Sequence, residues 1–233
     1  MKEIITKCLL SDLCHVVGVK SYTLPVLESG KVKGTLYVQN KYEIGYPLAS
    51  FTTEQKEKGY YLLSEHIPDL LYCSFILNSG LGMLSMHEEG DSSYTKGTVT
   101  KKKLENVTIN QIPEKYKRAC NYLEMIIIRV SRLKVEGESA IIRDATVSFL
   151  NDMRSSIGLE IYMNAIFESR HVSVLEPWAA YVEENGGAYR LKQVDDVFLS
   201  FYKSISDPDN EIMDAMKKAR LFVWELGKSI KKD

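Results

Sequence analysis

Residues 67–113 read IPDLLYCSFILNSGLGMLSMHEEGDSSYTKGTVTKKKLENVTINQIP, and the order of features in this stretch decides how the rest of the chain is parsed. Leu70, Leu71, Ser74, Phe75 and Leu77 recur at helical spacing, which predicts a helix from Ile67 to about Asn78, and Asn78-Ser79-Gly80 supplies its stop. A second short helical turn through Leu81, Met83 and Leu84 is expected to end near Gly90. Asp91 to Thr100 is polar and rich in turn formers, and Val107 with Ile109 predicts a brief strand that ends before Pro113. A helix, a polar loop and a buried strand succeed one another.

On the N-terminal side the chain is cut into short periodic pieces. Leu24 to Leu27, Gly34 to Gln39 and Tyr46 to Phe51 read as strand-like, with turns expected around Glu28-Ser29-Gly30 and Asn40-Lys41. The TLYVQ segment is the clearest strand, because Thr35, Tyr37 and Gln39 alternate with Leu36 and Val38, so one face packs and the other stays wet.

On the C-terminal side the period changes. Pro113 suits the first turn of a helix, where its missing N–H costs nothing. From there Tyr116, Ala119, Leu123, Ile126, Val130 and Leu133 step by three, four, three, four and three, an a/d seam. Further helices are expected around 139–170, 173–184, 190–204 and 210–230. Ser173 with Glu176 forms a capping-box pattern, and Asn185-Gly186-Gly187 and Asp207-Pro208-Asp209 punctuate the helical region. In the last helix Ile212, Met216, Ala219, Val223, Leu226 and Ile230 form a second seam, able to bury against the first or against another subunit.

Composition bounds the function. At 233 residues and 45% apolar content the chain can supply a core, which excludes general disorder. A formal net charge of −1 excludes gripping nucleic acid by bulk electrostatics, so any such contact has to be local. All eight arginines lie at or beyond Arg118, which leaves lysine as the strong base of residues 1–113. Cys8, Cys14, Cys73 and Cys120 form no CxxC pair and read as small apolar fillers in a reducing compartment. Asp12 interrupts the N-terminal apolar run before a signal-peptide core forms, and no apolar stretch is long enough to span a bilayer. The expected setting is cytoplasmic, with no membrane.

The block from Tyr60 to Pro113, with the helix after it, resembles the later part of a target-recognition domain of the type I restriction-modification specificity subunit family. Tyr72, Leu77, Asn78, Ser79, Gly80, Gly90, Thr95, Gly97, Thr98, Lys103, Leu104, Val107, Ile109, Ile112 and Pro113 carry the likeness. It covers roughly a quarter of the chain, and the family's glutamine shortly after the proline is replaced by Glu114-Lys115-Tyr116-Lys117. The resemblance implies an α+β fold in which a target-recognition-like domain, 1–113, precedes an all-helical region, 114–233. It implies DNA-sequence recognition without catalysis, on behalf of a methyltransferase subunit. The long helices would act as spacer and docking surface, through Tyr116, Leu123, Ile126, Val130, Leu133, Ile212, Met216, Val223 and Leu226, to that partner or to a second copy. The alternative is a scaffolding protein that reuses the fold for protein–protein contact.

Within the 91–103 stretch, Lys96, Lys101, Lys102 and Lys103 supply positive charge for phosphates, while Ser92, Tyr94 and Thr98 offer hydroxyls and a ring to duplex DNA. Gly90 and Gly97 would free the backbone between them for close turns. The same composition also suits an ordinary solvated loop before a strand. Other motifs point nowhere: GLGM at 80–83 lacks the spacing and trailing Lys-Ser/Thr of a phosphate loop and reads as a helix terminus. His15, His66, His87 and His171 show no metal-ligand spacing, for His87-Glu88-Glu89 are adjacent residues that cannot all converge. No metal, cofactor or catalytic residue is expected, and Trp178 and Trp224 read as packing residues.

Overall fold

The computed structural model describes residues 6–24, 35–43, 46–52, 54–80, 96–132, 138–167 and 175–184, with single positions at 82, 134 and 136. The chain is mixed α and β as far as Gln111 and helical from Glu114 through the remaining described residues. It divides into two compact units, Met1–Pro113 with Ile161–Ser169 and Glu114–Glu160 with Arg170–Asp233.

The first unit opens with β1 (Thr6–Leu9), the short helix α1 (Leu10–Leu13) and β2 (His15–Gly18), none of which local periodicity discloses. β3 (Thr35–Val38), β4 (Lys41–Glu43), β5 (Ala49–Thr52) and β6 (Tyr60–Leu63) follow. Four of these strands form an antiparallel sheet in the order β2-β6-β3-β5. β6 is an inner strand, and Tyr61 and Leu62, which point to opposite faces, are both fully buried. TLYV forms β3 as its alternation predicts, and the strand expected over Tyr46 to Phe51 forms at Ala49–Thr52. The turn expected at Asn40-Lys41 is displaced: Asn40 bends, and Lys41 already begins β4.

Helix α2 (Ile67–Asn78) has the limits its periodicity predicts; Pro68 sits in its first turn, and Gly80, at φ +85°, takes the left-handed conformation that ends it. Its buried side chains include Leu70, Tyr72, Cys73, Phe75, Ile76 and Leu77, more than one stripe, so it is a central helix rather than a surface one. Two of the residues that carry the family resemblance fix it in place. The Tyr72 hydroxyl donates to the Asn110 carbonyl at 2.7 Å, while the Asn78 amide both donates to and accepts from the Ala49 backbone, each at 2.9 Å.

The stretch 96–105 departs most from expectation, whereas the brief strand expected around Val107 and Ile109 forms at Thr108–Gln111. In place of a continuous polar loop, Lys96–Thr98 is a strand, β7, paired antiparallel with β4 (Lys41↔Thr98, Tyr42↔Gly97, Glu43↔Lys96). Lys101–Glu105 is a short helix, α3, whose N-cap Thr100 accepts through Oγ1 from the Lys103 N–H at 3.2 Å. β8 (Thr108–Gln111) then pairs with β1, so the first and last strands of the unit close on each other.

Beyond Pro113, α4 (Glu114–Ser131), α5 (Glu138–Phe167) and α6 (Leu175–Glu184) occur where helical periodicity places helices. α6 packs along α4, and Ala119, Leu123, Ile126 and Val130 of the seam are buried. Trp178 is fully buried; its indole N–H donates to the Ala119 carbonyl at 2.8 Å, and its ring lies 5.9 Å from that of Tyr122. Pro25 to Leu27, Glu28-Ser29-Gly30, the turn through Leu81, Met83 and Leu84, Ser173, and everything expected beyond Glu184 lie outside the described residues.

Candidate nucleic-acid interface

The residues expected to meet DNA do not lie on one loop. Lys96 and Thr98 stand on β7, while Lys101 and Lys102 are exposed on α3 after the Thr100 cap; Lys103 is half-buried. Lys101 also lies 3.6 Å from the Glu105 carboxylate one turn on. Ser92 and Tyr94 lie outside the described residues.

Pairing with β4 brings Lys96 and Thr98 next to residues that local reading of the chain did not single out. In an antiparallel pair, register partners project to the same side. Lys41 with Thr98 and Glu43 with Lys96 therefore form two exposed rungs on one face of the ribbon, and Tyr42 with Gly97 forms the rung on the other. An open cleft of about 560 Å³ borders the ribbon, lined among others by Gln39, Lys41, Glu43, Tyr46, Lys96 and Thr98. Tyr46 is 67% exposed there, whereas the Gln39 amide N–H donates to the Pro47 carbonyl at 2.8 Å and is held against the rim.

Gly97 matters for a different reason from the turn-making expected of it. A Cβ at this position would lie 2.5 Å from the Tyr42 hydroxyl oxygen and 2.6 Å from Cζ. The tyrosine ring covers the glycine across the strand pair, and Tyr42 is only 2% exposed, so it has no room to swing away. Gly97 is thus what lets the buried face of the ribbon close while Lys96 and Thr98 face outward.

The helix-docking residues are placed differently. Leu123, Ile126 and Val130 are buried inside the chain, where α6 lies along α4, so this face is not open to a partner. Tyr116 is held by Glu176: its hydroxyl donates to Oε2, and Lys115 Nζ donates to Oε1 at 2.8 Å while sitting 4.5 Å over the Tyr116 ring. The hydrogen bond from Lys115, then that from Tyr116, holds the Glu176 carboxyl below the usual range; burial foremost raises the Tyr116 hydroxyl. Glu176 thereby ties α4 to α6, a role outside the capping box expected for it. Leu133, Ile212, Met216, Val223 and Leu226 lie outside the described residues.

Two clusters are invisible to spacing. Cys14 Sγ lies 3.8 Å from Cys73 Sγ, and both thiols are free and buried. The contact with Cys14, followed by burial, pushes the Cys73 thiol well up, which suits packing and opposes nucleophilic use. In the second unit Arg154 of α5 donates to Glu124 of α4 at 3.0 Å and to Asn151 Oδ1 at 2.8 Å, with the ionic side chains 6% and 2% exposed. Such a pair links two helices and leaves little surface for a ligand. Among the described residues, no group of three His, Cys, Asp or Glu side chains is arranged to hold a metal, and no helix is long and apolar enough to cross a membrane.

Comparison with family models, with curated proteins and with solved structures finds no match to this chain.

Proposed function

We propose that this chain is a cytoplasmic, non-catalytic DNA-recognition component that reads duplex DNA with the β4·β7 ribbon, in the manner of the specificity-subunit family its sequence resembles. The observation that carries the reading is the exposed face of the ribbon. Lys41, Glu43, Lys96 and Thr98 project from two rungs on one face beside a cleft, and Lys101 and Lys102 follow on the next helix. The major groove of B-DNA admits a two-stranded ribbon as well as a helix, so short paired strands bearing donors and an acceptor fit the way base edges are read. Lysines on the ribbon and on α3 supply phosphate contacts, which set register and orientation. These cations are few, in keeping with a chain that works beside a methyltransferase subunit able to share the grip on DNA. That partner would dock on a face other than the filled α4 seam.

The test is a fluorescence-anisotropy titration of the full chain with mixed-sequence duplex at low and at physiological salt. Binding that weakens with salt is expected. In the Lys101→Ala/Lys102→Ala variant all duplexes should bind more weakly to a similar degree, and the salt slope should fall by up to about 2. Absence of binding at low salt by the chain alone would remove autonomous recognition, and absence with a methyltransferase subunit present as well would remove the DNA reading and leave the protein–protein scaffold.

A further inference from the structure

We infer that the Glu43–Lys96 rung reads a single G·C base pair, with Lys96 toward the guanine and Glu43 toward the cytosine; this rests on the DNA-recognition reading above. Glu43 and Lys96 are register partners, both exposed, on the face of the ribbon away from the Tyr42–Gly97 rung. Although they are opposite charges on neighbouring strands, they form no ion pair with each other or with any other described residue, and both line the cleft. A carboxylate in this position repels phosphate, so it weakens a surface that only grips backbone. It has a use where a base edge presents a hydrogen-bond donor.

Major-groove chemistry selects the pair. Guanine presents two acceptors, N7 and O6, and cytosine beside it presents the N4 amino donor. A cation and an anion on opposite strands of the ribbon, with Cβ atoms about 5 Å apart, match that arrangement across one base pair. In the reversed T·A orientation the N6 donor would face Glu43, but adenine N7, an acceptor, lies beside it against the carboxylate, and Lys96 meets one acceptor, O4, next to a methyl group in place of guanine's two. In an A·T pair the amino donor lies on the purine, and the pyrimidine side offers the O4 acceptor and a methyl group. A carboxylate on that side would face an acceptor and an apolar group, and would lose its hydration without gaining a hydrogen bond. Thr98 and Lys41 on the next rung of that face then meet the neighbouring base pair or phosphate.

The test is selection from a random-sequence duplex pool with the whole chain, comparing wild type, Glu43→Met and the charge exchange Glu43→Lys/Lys96→Glu. Wild type should enrich G·C at one fixed position of the selected site. Glu43→Met, which keeps the side-chain length and removes the acceptor, should lower the discrimination there by about tenfold, as expected for loss of one base-specific contact. The exchange leaves net charge unchanged and should invert the preference at that position to C·G while retaining overall affinity. Both side chains are exposed, and Glu43→Met, close in length and without an acceptor, decides the matter alone if the double variant fails to fold. Unchanged preference in the variants of a DNA-binding wild type would overturn the inference and leave the DNA reading intact. Failure of wild type to select any duplex at low salt, alone and with a methyltransferase subunit present, would overturn both.

Discussion

Replacing Arg154 with methionine tests how the helical unit is held. Arg154 and Glu124 lie on different helices, 3.0 Å apart, with side chains 6% and 2% exposed, so neither charge has appreciable access to water. Methionine keeps much of the length and apolar volume of arginine while removing the guanidinium and its second hydrogen bond to Asn151. The Glu124 carboxylate then stays buried and loses the Arg154 charge, a change that costs about 3–5 kcal/mol. For a chain of this size that corresponds to a fall in Tm of roughly 6–20 °C. Glu124→Leu/Arg154→Met removes both charges together and should recover most of the loss, since an apolar pair of similar volume is often neutral or better than a buried ion pair. The assay is a double-mutant cycle by thermal and urea denaturation on wild type, both single variants and the double. A loss below about 1 kcal/mol for Arg154→Met, or a double variant no better than the worse single one, would refute the argument that desolvation dominates here.

Other outcomes follow from the same contacts. Gly97→Ala places a Cβ 2.5 Å from the Tyr42 hydroxyl oxygen and should destabilise the first unit by about 1–3 kcal/mol; adding Tyr42→Leu should relieve most of it, measured by denaturant midpoint. The Glu176 carboxyl is held below its ordinary range by Lys115 and Tyr116, so its contribution to stability is present above the unfolded-state value near 4.5 and is lost as the pH falls through the folded-state value. Wild type and Glu176→Gln should therefore differ in Tm at neutral pH and converge in acid. Trp178→Ala should cost about 3–5 kcal/mol through the cavity beside Tyr122 and the loss of the bond to Ala119, read by the same melts.

Several elements were legible in the order of residues alone, and the reason is that their cause is local. Leu70, Leu71, Phe75 and Leu77 place the helix, and Gly80 ends it because a left-handed residue is needed there. The alternation of Thr35 to Val38 marks β3, and the period of Ala119, Leu123, Ile126 and Val130 marks α4 and the face it buries. Trp178, read as a packing residue, lies fully buried. In the candidate site, the chain order alone singled out Lys96, Thr98 and the lysines of α3 from their composition.

What tertiary structure alone decided are the pairings between distant segments. β1 and β8 lie at opposite ends of their unit, and nothing in TKCL announces that its backbone bonds go to TINQ. Lys41 stands in what reads as a turn, and Lys41 to Glu43 become a strand because Lys96–Thr98 supplies the hydrogen-bond partners and because Gly97 leaves room for the Tyr42 ring. Cys14 meets Cys73, and Glu124 meets Arg154, by the same kind of long-range closure. A strand of three or four residues carries too little periodicity to declare itself; its stability resides in a partner's N–H and C=O groups and in side chains across the pair. The face that carries Lys41, Glu43, Lys96 and Thr98 exists only once those two segments are in register, because register is a property of the pair and neither segment holds it alone.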